Sequence, residues 1–302
     1  MRRLHIALFV WLFATAAAVA QNSRSAVSIN GSDLNTCTLV APCRTFSVAL
    51  SHTNPGGEAI ALDSAGYGQF TANQAVTVSG APGVHAALMG TSGNGVTVVA
   101  APSDAVVLRN LVILAGSGAV NGIEVASAGS VHVINCLIRG FSSHAAVSVD
   151  GFGAETLIDH LVAEDNATGV TINTSALVRV RITNSELDDN SAAGVDAQND
   201  VRAVVSDTSL SGNGIGVRVQ STLATTADVT LDHCIISGNG IGIFASNPDI
   251  NLRAVVRLYG NVISYNIGAG ISLSAATAYT YGNNALSANN PDGGPLIPLA
   301  QQ

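Results

Sequence analysis

The sequence predicts an all-β solenoid: a single-chain parallel β-helix with three strands per coil and a short N-terminal capping helix. Three observations carry that expectation. The chain repeats itself with a period in the mid-twenties, as in "VVLRNLVILAGSGAVNGIEVA", "TLIDHLVAEDNATGVTIN" and "VTLDHCIISGNGIGIFAS". Each unit holds two short alternating apolar strands around a tight turn, then an Asn/Gly-rich turn, then a third strand of the form Gly-apolar-x-apolar. The composition is 47% hydrophobic but only 4% aromatic, so the core must be built from Val, Ile, Leu and Ala, which suit stacked strands. A propeller blade is longer, at about 40 residues, and needs hairpin turns that are missing.

Taken in order, the first element is removable. Met1-Arg2-Arg3 precedes the apolar run "IALFVWLFATAAAVA", and Ala18-Val19-Ala20 closes it, which predicts a signal peptide over 1–20. The apolar run is shorter than the ~20 residues that span a bilayer. Its removal implies an exported chain, periplasmic or secreted, with no membrane insertion afterwards. Losing Arg2 and Arg3 takes twelve basic residues to ten against twenty acidic ones, a net charge of −10. All the basic residues are Arg. An acidic chain without basic runs excludes nucleic acid as an expected partner.

Residues 21–60 read as an N-terminal cap. In "PCRTFSVALSHT", Phe46, Ala49 and Leu50 fall at helical spacing, predicting a short amphipathic helix that plugs the open end of the solenoid. In "CTLVAPC", Cys37 and Cys43 can close a small loop, and an oxidising compartment favours a disulfide. The β-helix is expected over 61–290, with a Pro-rich tail over 291–302.

Aligning the coils gives columns. Asn110, Asn135, His160, Asn184, Asp207, His233, Gly260 and Asn283 stand between the first and second strands, 23 to 27 residues apart. These are the residue types that best tolerate positive φ, so one backbone reason covers the whole column. That includes His160 and His233, whose Asp-His context otherwise suggests catalysis. Asn166, Asn190, Asn213, Asn239, Asn266 and Asn289 form a second column, expected to hydrogen-bond from coil to coil as stacked amides do. A Gly column follows, at Gly122, Gly169, Gly194, Gly216, Gly242 and Gly270. Cys136 and Cys234 lie four coils apart, about 19 Å at strand spacing, beyond disulfide reach. They are expected as buried free thiols.

These repeats, from about Val106 to Asn290, resemble right-handed parallel β-helix proteins of the pectin-lyase-like superfamily. The leading "CTLVAPCRTF…GGEAIALDSAGYG" resembles the cap of secreted bacterial β-helix proteins of unassigned role. The resemblance implies a right-handed coil and a function among polysaccharide lyases, polygalacturonases, phage depolymerases and non-catalytic adhesins. Fold alone does not choose among them. Polygalacturonase-like enzymes imply an Asp pair, Gly-His-Gly and Arg-x-Lys. Asp188–Asp189 supplies the pair, but the chain has no Gly-His-Gly and no Lys. The Asp-His fragments resemble pectate-lyase sequence, without the Trp beside it.

The resemblance places the ligand groove on the strand after the Gly column. One outward row there reads Thr97, Glu124, Ser148, Thr171, Asp196, Arg218, Phe244, Ser272. The next reads Ala126, Asp150, Asn173, Gln198, Gln220, Ser246, Ser274. Asp196, Arg218, Asn173, Gln198, Gln220 and Phe244 are the candidate sugar-binding residues, with Asp196 and Arg218 expected to pair. Two acidic groupings are candidate catalytic sets. Glu124 and Asp150 are expected ~8 Å apart, within the range of an inverting glycosidase pair. Glu164, Asp165, Asp188 and Asp189 stack in successive turns, where a bound Ca²⁺ would relieve their repulsion. No other cofactor is indicated. The leading expectation is a scaffold binding a polysaccharide or cell-surface partner along its lateral face. A lyase or hydrolase, and a structural envelope or adhesin-like protein, are the alternatives.

Overall fold

The computed structural model describes residues 21–152, 155–222, 225–248 and 253–300. The expected leader over 1–20 lies outside them. Every strand pairing between coils is parallel, and three sheets wind around one core. The first sheet starts with Asn22–Val27 beside Thr53–Ala61 and continues through Val76–Gly80 and Ala105–Arg109 to the last coils. The parallel ladder therefore reaches back through the cap region to Asn22. The second sheet holds the strand after the tight corner, such as Leu111–Ala115 and Ile235–Ser237. The third holds the strand after the Gly column, such as Ile123–Ser127, Ile215–Gln220 and Ile241–Ser246.

Alternation along each strand buries one residue in two. In the first sheet the stacked inward column reads Val78, Leu108, Val133, Ile158, Ile182, Val205, Leu231, Leu258, all without solvent exposure. Each such side chain stabilises the fold by roughly 1.5–3 kcal/mol. A second inward column contains one polar intruder, Thr156, between Val131 and Val180. Its hydroxyl is buried and has no hydrogen-bond partner among the described residues.

The corner column behaves as its residue types require. Asn110, Asn135, His160, Asn184, Asp207 and His233 have φ between 49° and 55°, and Gly260 has φ 64°. The last coil departs from the expectation: Gly282 takes the left-handed conformation (φ 83°), not Asn283. Glycine does so without a Cβ clash, and Asn283 Oδ1 accepts a hydrogen bond from the Gly260 N–H instead, at 3.0 Å.

The Asn ladder forms. The side-chain amide of each of Asn166, Asn190, Asn213, Asn239 and Asn266 donates to Oδ1 of the next, at 2.8–3.2 Å. Each amide also donates to a carbonyl on the preceding coil, as Asn239 does to Leu210 O at 2.8 Å. The next Asn's Oδ1 also takes the backbone N–H, so these buried groups are satisfied. The Gly column follows from this packing. A Cβ on Gly216 would stand 2.6 Å from Gly242 O and 3.1 Å from the Asn239 amide nitrogen. No side chain fits beneath the ladder at that approach.

Phe46, Ala49 and Leu50 of the helix Phe46–Ser51 are buried over the first coil, with Phe46 against the rings of Tyr67 and Phe70. Thr45 caps the helix, its Oγ1 accepting from Val48 N. Cys37 and Cys43 are disulfide-bonded. Cys136 and Cys234 are free and buried, their thiols pushed up to about 12 and about 11 by desolvation. Both sit in one column just after the corner, which also holds Leu161, Ser185, Thr208 and Asn261.

Candidate functional site

The outward face of the third sheet is a continuous lattice. Thr71, Thr97, Glu124, Ser148, Thr171, Asp196, Arg218, Phe244 and Ser272 stand in register from coil to coil. Asn173, Gln198, Gln220, Ser246 and Ser274 form the row beside it. The alternation that buries Ile123, Val147, Val170 and Val195 forces these polar side chains outward. Two depressions lie along the face. One of about 810 Å³ is lined by Gln69, Gln74, Asn94 and Thr97, and one of about 290 Å³ by Asn121, His144, Ser148, Asp150, Thr171 and Asn173.

Glu124 stands between them. The expected ~8 Å gap to Asp150 is not what forms: the two carboxyl groups are in hydrogen-bonding contact. Asp150 lies two residues beyond Ser148, the residue opposite Glu124, and the side chains lean together across the coils. Two carboxylates cannot both stay ionised at that contact. Burial, then repulsion from and hydrogen bonding with Asp150, push Glu124 up to about 7. Asn121 Nδ2 donates to Glu124 Oε2 at 2.7 Å, and Ser148 Oγ to Asp150 Oδ1 at 3.1 Å. The site thus holds a carboxyl that is partly protonated near neutrality.

The expected Asp196–Arg218 pair forms at 3.0 Å, and Gln198 donates to the same oxygen, Asp196 Oδ2, at 3.0 Å. Gln220 donates to Ser246 Oγ at 3.0 Å, and Asn173 accepts from Asn199 at 2.9 Å. Phe244, half-buried beside Arg218, is the aromatic in these rows.

In the second acidic grouping Glu164 and Asp188 do stand in register on neighbouring coils, but each carboxylate has a partner of its own. Asp165 and Asp189 are left-handed turn residues, with φ 58° and 54°. Glu164 pairs with Arg139 at 3.1 Å, while Asp188 accepts from Ser209 Oγ and from Ser211 N at 2.7 Å. Among the described residues, no group of three or more His, Cys, Asp or Glu side chains is arranged to hold a metal ion. The two Asp-His fragments are corner pairs. His160 Nδ1 lies 3.0 Å from Asp159, and His233 Nδ1 lies 2.6 Å from Asp232, with both imidazoles exposed.

Sequence reading missed one grouping. The basic residues look dispersed along the chain, yet the strand register sets Arg179 opposite Arg202, with Arg181 two residues on along the same face of the first sheet. The signal was available in the spacing of 23 residues, one coil, between Arg179 and Arg202.

Three parallel sheets around a core stapled by stacked amides define a right-handed parallel β-helix of the pectin-lyase-like fold, here with a polar lateral face. The chain belongs to the right-handed beta helix region family, whose model matches residues 121–290. No curated protein sequence matches it. Among solved structures it is similar to XylC in complex with xylose, with a TM-score of 0.68 at 8% identity over 85% of this chain and 68% of that one. It is also similar to tailspike protein 2 of Escherichia coli O157:H7 bacteriophage CAB120, with a TM-score of 0.57 at 13% identity over 78% of this chain and 36% of the tailspike. At such identities the likeness establishes the fold.

Proposed function

We propose that this protein is an exported β-helix scaffold that binds a neutral polysaccharide along the outward face of its third sheet. The observation that carries the reading is the pair of polar depressions that flank Glu124, one reaching Thr97 and the other Ser148, its two neighbours in register. A repeating polymer matches a repeating row of hydroxyl, amide and carboxyl groups. Glu124 supplies a donor when protonated, and Asp150, Asn173 and Gln198 supply acceptors to sugar hydroxyls. A xylose complex among the structural neighbours is consistent with a carbohydrate ligand. Export rests on the leader-like residues 1–20 and agrees with the Cys37–Cys43 disulfide.

A second reading, polysaccharide lyase or glycoside hydrolase, is favoured by one observation: the raised Glu124 carboxyl could donate or accept a proton near neutral pH. A panel of neutral and acidic polysaccharides tests both readings. Retention of wild type on a neutral polymer, weakened by Glu124→Gln or Asp150→Asn, is expected. Release of reducing ends or of unsaturated sugar would move the assignment to the enzyme reading. Absence of retention on every neutral polymer would overturn the binding reading.

A further inference from the structure

The first sheet carries a groove of about 560 Å³ on its outward side, away from the third-sheet face. Its lining includes Arg179, Arg181, Arg202, Arg257, Leu157 and Val204. Arg257 is paired with Asp228 and lies over the Tyr279 ring, its guanidinium carbon 5.8 Å from the centroid. Arg179, Arg181 and Arg202 form no salt bridge among the described residues and are exposed. Arg179 and Arg202 occupy facing positions on neighbouring coils, about 4.8 Å apart in backbone. Glu155, in register with Arg179, and Asp228 also line the groove, so four cations face two anions. Three of the five arginines that form no salt bridge among the described residues thus line one groove, while Arg44 and Arg253 lie outside its lining.

We propose that this groove binds a sulfated polysaccharide. Like charges on adjacent rungs repel, and an anion seated between them relieves that cost. Three guanidinium forks offer far more donors than one planar carboxylate has lone pairs to accept. A sulfate ester presents three outward oxygens and a single charge. The cations follow the coil axis, so a chain that repeats its charge can engage neighbouring rungs. Val204, 41% exposed, and the half-buried Leu157 flank Arg181 on the neighbouring coils and offer an apolar bed for ring C–H groups. DNA places one charge per ~1.7 Å and gains from base stacking, which a groove with two acids and a single terminal ring matches poorly.

The test uses the purified protein against dextran sulfate, polygalacturonate, unmodified dextran and single-stranded DNA, by calorimetry at low and moderate salt. Wild type is expected to bind dextran sulfate with an affinity that falls as salt rises, more tightly than polygalacturonate, and not to bind dextran through this groove. Arg179→Gln/Arg202→Gln should weaken dextran sulfate binding by at least about tenfold. Arg179→Lys/Arg202→Lys should fall between, since charge is kept and the fork is lost. Unchanged melting temperatures would show that these exposed positions leave the fold intact. Arg139→Gln, at a half-exposed arginine outside the groove, should leave dextran sulfate binding unaltered, which separates this site from a general effect of positive charge. No binding of dextran sulfate, equal binding by the double Gln variant, or tighter binding of polygalacturonate or DNA would each overturn the proposal.

Discussion

The Glu124–Asp150 contact makes a prediction about stability that needs no ligand. Glu124 has a carboxyl at about 7 in the folded protein against 4.5 for the free side chain, so the native state holds its proton more tightly than the unfolded chain does. That advantage is fully present below pH 4.5 and is lost as pH rises through 7. At about 1.4 kcal/mol per decade the upper bound is about 3 kcal/mol. Glu124 is only half-buried, and solvent screening reduces the expected effect to about 1–2 kcal/mol. Glu124→Gln keeps the shape and abolishes the titration. The variant should therefore gain relative to wild type between pH 5 and pH 8, with its melting temperature at pH 8 higher by roughly 2–6 °C. Calorimetry of both proteins across that range checks it, and subtraction removes titrations common to the two. Asp150→Asn supplies the independent arm, because removing the second charge should return Glu124 toward its usual range and flatten the same slope. If wild type and Glu124→Gln gave parallel profiles from pH 5 to pH 8, the shared-proton account would be wrong.

Four further outcomes follow from the scaffold. Asn239→Ala removes an amide that donates to Leu210 O and Asn266 Oδ1 and accepts from Asn213, and should cost about 3–5 kcal/mol in urea unfolding, with the loss centred on the coils it joins. Thr156→Val replaces an orphaned hydroxyl in an apolar column by a methyl group and should stabilise by about 1 kcal/mol, read as a raised urea midpoint. His233→Ala should cost about 1–2 kcal/mol in thermal unfolding because φ is 52°, while His233→Asn should be close to neutral, and neither should alter glycan retention. Cys136 and Cys234 should resist a thiol-specific reagent in the folded protein and react only on unfolding, as quantified by mass spectrometry.

What the sequence disclosed, and what it hid, divides along a physical line. Anything set by backbone conformation repeats with the coil and was legible. The Asn/Asp/His/Gly corner, the Asn ladder, the Gly column and the outward rows of the third sheet all appear in register. The one slip in the corner, Gly282 for Asn283, came where glycine offered the left-handed conformation one residue early. Distances between side-chain tips were not legible, because they depend on rotamers rather than on register. Glu124 and Asp150 were placed on the right coils, but the lattice spacing could not show that they lean into contact. Asp165 and Asp189 show the converse. Read as charges they suggested a cation site, yet their φ values place them among residues chosen for a turn. The arginines form no run along the chain, because a solenoid assembles its patches across it, one residue per coil. Functional patches on such a fold should therefore be sought at the coil period, on each of the three faces separately. On that basis the first and third sheets differ in kind. One offers unpaired guanidinium groups, the other amides, hydroxyls and a carboxyl pair. One core holds both faces, so the two polymers proposed above would meet different residues and would not compete.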